Sequence, residues 1–155
     1  MANTRRQPPP SGSTRKHLSK SALLPMTARS ARDLSLTYHL ALAVCRRKNG
    51  SSYLINQLAR AVYRTYYLQR AGFGCVPLQC YERAEAALEN CMASGSKTGT
   101  WSICAEDAST IAQLLGLHDH QLDTAPLHQV VDAERQLRLF VASNAASPLT
   151  KWSAK

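Results

Sequence analysis

His118, Asp119, His120 and Asp123 lie within six consecutive positions and offer two imidazoles and two carboxylates that could hold a metal ion. On a helix, residues two apart point about 160° apart, so His118 and His120 cannot grip one ion. His118 also falls in the apolar stripe of its segment, with Leu114, Leu115 and Leu122, where a core or boundary histidine is the simpler reading. No metal and no cofactor is expected. Cys45, Cys75, Cys80, Cys91 and Cys104 are five thiols without a C-x-x-C pair. They fit neither a disulfide framework nor a zinc pattern, and three of them, Cys45, Cys80 and Cys91, fall on apolar sides of predicted helices. Reduced, buried cysteines of that kind point to the cytoplasm. Ser, His and Asp are scattered without a nucleophile elbow, and no glycine-rich phosphate loop follows a strand. No catalytic residue is assigned, and the chain reads as non-enzymatic.

Ala112, Gly116 and Leu122 have the spacing of a helix-turn-helix: a small residue, a glycine four positions later, an apolar residue six beyond. The segment that would read DNA, His118 to Pro126, carries two acids and no Lys or Arg. Carboxylates facing phosphates are the wrong electrostatics, so a plain amphipathic helix with Gly116 inside or near its end is expected.

Charge gives the stronger signal. Residues 1–72 carry thirteen Lys and Arg against one acid, Asp33, a net of +12, whereas residues 73–155 carry six basic and nine acidic residues. Such a split places a polyanion or an acidic partner against one part of the molecule. Candidate contacts are Arg15 and Lys16 in the N-terminal arm, Arg46, Arg47 and Lys48, the Arg60/Arg64 pair four residues apart, and Arg70. A surface of this kind binds phosphates without reading bases. The competing reading is that these cations only solvate a helix edge and keep the chain soluble.

The elements that must position these residues are helical. Residues 1–30, with Pro8–Pro10 and basic residues among Ser and Thr, read as a disordered basic arm. Leu23-Leu24-Pro25-Met26 is the one apolar cluster there that could dock on the domain. A first helix is expected over Leu34–Lys48 with Asp33 or Ser35 as cap, and a second over Ser52–Ala71 with Ser51 or Ser52 as cap and Gly72 as stop. The second has the widest apolar arc, including Leu54, Ile55, Leu58, Val62 and Tyr66, and should be central. Its extension by Tyr63 and Tyr67 exceeds one bundle face, so Tyr63, Tyr66 and Tyr67 are expected at a homodimer interface. A third helix should start at Pro77 and run to about Met92, followed by a loop over Gly95–Gly99 that Trp101 closes. A fourth is expected over Asp107–Asp123. A fifth should follow Pro126 to about Ser143, with Val130, Val131, Leu137, Phe140 and Val141 as its stripe. No segment alternates with period 2, so the fold class is all-α: a single bundle-like domain of about five helices over residues 31–143, with a loose tail over 144–155. There is no run of 18 apolar residues for a membrane span, and the N-terminus lacks the apolar stretch of a secretory signal.

The stretches Leu34–Leu42, Asn49-Gly50-Ser51 and Tyr66–Gly74 resemble small bacterial proteins labelled as Fis family transcriptional regulators, and more faintly the helical quorum-sensing antiactivators that bind a transcription factor as dimers. Fis-type regulators carry a basic C-terminal helix-turn-helix, whereas the last helix here offers only Arg135 and Arg138 after an acidic turn. The resemblance implies a small helical regulator. Two functions are therefore expected to compete: nucleic-acid binding by the arm and the basic helix edge, and docking of that edge on an acidic protein partner, with no membrane involved.

Overall fold

The computed structural model describes residues 18–149. Its centre is set by the helix whose sequence is apolar on most sides. Ser51 caps that helix, its side chain accepting from the Leu54 N–H at 3.3 Å, and the chain leaves it at Gly72 with φ of 97°. We call it α2 (Ser52–Arg70). It packs on all four other helices, α1 (Ala28–Arg46), α3 (Leu78–Thr98), α4 (Ala105–Thr124) and α5 (Leu127–Ala142). Leu58, Ala61 and Tyr66 on α2 are fully buried. The described residues form an all-α bundle of five helices with no strand. No helix among them is long and apolar enough to cross a membrane.

Several boundaries differ from expectation, each for a physical reason. α1 begins at Ala28, because the Thr27 hydroxyl accepts from the Ser30 N–H at 3.3 Å and caps the helix before its apolar stripe starts. Asp33 and Ser35 are therefore inside α1 and cap nothing. α3 continues through Gly95 to a left-handed stop at Gly99, φ 73°, instead of opening into a loop. A Cβ on Gly95 would stand 2.3 Å from the Trp101 ring, so the bare backbone there is the seat of the indole. Gly50 N–H donates to the Trp101 carbonyl at 3.2 Å and ties the α1–α2 turn to the same residue. α4 passes through Gly116 unbroken, so the helix-turn-helix spacing has no turn.

The described residues before α1 and after α5 both contact the bundle. A 3-10 turn at Lys20–Leu23 leads into a strap on α5: Leu127 N–H donates to the Leu24 carbonyl at 2.8 Å, and the His128 ring lies 2.9 Å from the Ala22 carbonyl. The apolar cluster at Leu23–Met26 thus docks on the domain, although Leu23 and Leu24 themselves stay exposed. Beyond α5, Ser147 donates to Glu85 at 2.6 Å and Leu149 is buried. Of the expected arm over 1–30 and tail over 144–155, residues 1–17 and 150–155 lie outside the described residues.

On α5 only Ala133 and Leu137 are fully buried, whereas Val131 and Val141 are exposed despite their place in the expected stripe. The aromatic width of α2 is absorbed inside the chain. Tyr66 meets Tyr67 and Tyr81 at ring distances of 5.6 and 5.4 Å, and Tyr63 packs edge-on to Phe140 at 5.3 Å while donating to Glu85 at 2.7 Å. Intramolecular packing of Tyr63, Tyr66 and Tyr67 removes the ground for expecting a dimer surface there. Of the three thiols expected on apolar sides, Cys45 and Cys91 are buried while Cys80 is only half-buried, and burial pushes the Cys45 thiol up to about 11.

Candidate functional site

Arg60 and Arg64 of α2 both reach α5, Arg60 with its side chain 43% exposed and Arg64 half-buried. Arg64 Nε donates to Glu134 at 2.5 Å, Arg60 Nη2 at 3.2 Å, and Arg138 Nε, one turn further along α5, at 3.2 Å. A second arm of the Arg64 guanidinium donates to the Tyr38 hydroxyl, so the side chain bridges α1 and α5. Burial alone would push the Glu134 carboxyl up, but the guanidiniums of Arg64, Arg138 and Arg60 outweigh it and hold the carboxyl below the usual range. Three arginines share one carboxylate, leaving this cluster with an excess of two positive charges.

Beneath Arg64 lies His118, 1% exposed and edge-on to Tyr38 with ring centroids 5.5 Å apart. Burial, then the nearby Arg64 charge, lowers its pKa to about 4, so the imidazole is neutral at neutral pH. Its Nδ1 has no hydrogen-bond partner among the described residues. The position inside an apolar stripe foretold a buried histidine. The neighbouring Asp119 points the other way, to His39 at 2.9 Å on the surface. Among the described residues, no group of three or more His, Cys, Asp or Glu side chains is placed to hold a metal ion.

Arg64, His118, Glu134 and Arg138 line a cleft of about 640 Å³ between α1 and α5. Leu68, Arg64 and His118 belong to its floor, Leu34 and Val131 to its walls, and Arg135 and Arg138 to its α5 side. Met26 of the N-terminal strap and Leu127 also line it.

Arg46, Arg47 and Lys48 are elsewhere. They end α1, where cations suit the helix macrodipole, and Lys48 takes a left-handed φ of 62° to turn the chain toward α2. All three are exposed, and none forms an ion pair among the described residues. Arg46 and Lys48 border a hollow of about 340 Å³ with Asn90 and Ser94 of α3, Ser102 of the α3–α4 connection and Asp107 in the first turn of α4. Arg60 lies eight residues into α2, roughly 12 Å along the axis, and faces α5 instead. Arg70 closes α2 with its guanidinium 5.9 Å from the Tyr66 ring centre. The expected continuous basic edge is thus divided: Arg60 and Arg64 come together, while Arg46–Lys48 and Arg70 form separate places. Arg15 and Lys16 lie outside the described residues.

Glu134 and Arg138 are the site residues that sequence reasoning missed. Their i,i+4 spacing on α5 was visible as a local pair, but nothing local links Glu134 to Arg64, 70 positions earlier. Comparison with protein-family models, with curated proteins and with solved structures finds no match for this chain.

Proposed function

We propose that this protein is a non-enzymatic regulator that binds nucleic acid mainly through phosphate contacts, with Arg46, Arg47 and Lys48 as the folded part of the contact surface. One observation carries the reading: three consecutive cations stay exposed and free of ion pairs among the described residues, and two of them, Arg46 and Lys48, border a hollow whose other polar lining includes Ser94, Ser102 and one carboxylate, Asp107. Exposed cations and hydroxyls position a phosphate without selecting a base. The arm cations, Arg15 and Lys16 among them, add sequence-independent attraction, and the charge excess of +9 has the right sign. Arg60 and Arg64 contribute less, because Glu134 already neutralises part of their charge. The role in regulation comes from the resemblance to Fis-family and antiactivator proteins. All five thiols are free, which fits a reducing cytoplasmic compartment. With Tyr66 and Tyr67 enclosed, we assign binding to the single chain, and sedimentation at micromolar concentration tests that state.

Mobility shifts across a salt series test the proposal. Affinity should fall steeply with salt, and the combined Arg46→Ala, Arg47→Ala and Lys48→Ala variant should flatten the log K against log salt slope by about 2 to 3. No shift even at low salt refutes it. The second reading, docking on an acidic surface of another protein, has an observation of its own. Val131 and Leu139 are 58% and 62% exposed and flank Arg135 at i,i+4 spacing on α5, a mixed apolar and cationic face.

A further inference from the structure

The cleft between α1 and α5 exists because these two helices do not pack on each other: α1 rests on α2 and α4, and α5 on α2 and the N-terminal strap. Its walls are largely apolar, and Arg64, Glu134, Arg135 and Arg138 are its charged lining. Arg60, Arg64 and Arg138 share the single carboxylate of Glu134, and Arg138, with its side chain 75% exposed, is free to turn toward a second one. Glu134 itself demonstrates that these guanidiniums are placed to receive a carboxylate.

We propose that this cleft binds a small apolar carboxylate, its hydrocarbon body against Leu34, Leu68, Val130 and Val131 and its head on Arg64 and Arg138. At about 640 Å³ the cleft falls within the usual range of small-ligand sites. Charge excludes the chain's own N-terminal arm, whose Arg5, Arg6, Arg15 and Lys16 would face further arginines. The neutral state of His118 adds no charge to the cleft.

Calorimetric titration of the full chain with sodium decanoate, below its micelle concentration, tests the site. Saturable binding at one site per chain is expected, with decyltrimethylammonium of the same tail length giving none. Arg138→Ala, a change at an exposed side chain, is expected to weaken decanoate about fivefold. Glu134→Gln removes the competing carboxylate and is expected to tighten it by a similar factor, an effect opposite to that of a merely structural residue. Absence of saturable decanoate binding overturns the proposal. So does equal binding of the cationic amphiphile, or decanoate affinity that Arg138→Ala leaves unchanged. Should Glu134→Gln fail to fold, Arg138→Ala and the head-group comparison decide the outcome.

Discussion

Replacing His118 with phenylalanine is expected to flatten the acid-side loss of stability of this protein. In the unfolded chain His118 titrates near its ordinary value of 6.5, whereas in the fold burial, then Arg64, lowers it to about 4. A folded pKa below the unfolded one means that stability is fully present above pH 6.5 and is lost as pH falls toward 4, because only the unfolded state takes up the proton. Each unit of displacement is worth about 1.4 kcal/mol, so the whole window spans roughly 3 kcal/mol, and between pH 7.5 and pH 5 the loss is about 2 kcal/mol. Among the groups facing the ring, Arg64 deepens the effect, His39 does so weakly, and Asp119 opposes it. Glu134 does not interfere. Its carboxyl, held below the usual range, contributes stability above about pH 4.5 that is lost only as pH falls further. Phenylalanine keeps the edge-on ring contact with Tyr38 and removes the unpartnered Nδ1. Urea denaturation at pH 7.5 and pH 5 measures both proteins, and the variant is expected to lose about 2 kcal/mol less than the parent across that interval. Equal losses in the two proteins refute the reasoning, as does an imidazole NMR titration of His118 with a midpoint near 6.5.

Gly95→Ala forces a methyl into the Trp101 ring at 2.3 Å. It is expected to cost about 1–3 kcal/mol by overpacking, read as a lower urea midpoint together with a red shift of tryptophan emission. Leu58→Ala empties the centre of α2, where the side chain is fully buried. A loss of about 2–5 kcal/mol in urea denaturation is expected, and a loss below ~1 kcal/mol would show that α2 is not the centre of the core.

The number, type and approximate placement of the helices were legible in the sequence, because each is specified within a window of a few turns. The 3.6-residue stripe of α2, the Ser51 hydroxyl, the stop at Gly72 and the break at Pro77 are local signals that any packing partner would respect. The start of α1 was local too, at the Thr27 hydroxyl, yet the buried stripe begins only at Ala31, so periodicity alone places the start too late. Tertiary structure decided the rest. α3 keeps its helix through Gly95 because the Trp101 ring needs a bare backbone to lie on, a demand made by a residue outside the helix. Val131 and Val141 carry the same apolar character as Leu137, but α5 packs on α2 along a line that reaches Leu137 and misses both valines. The basic edge was visible as a run of cations, and its division was not. Arg64 and Glu134 stand 70 positions apart, and their 2.5 Å contact arises only when α2 and α5 lie side by side. Charge sign and periodicity are properties of single segments, whereas the neutralisation of one charge by another depends on which surfaces the core brings into contact.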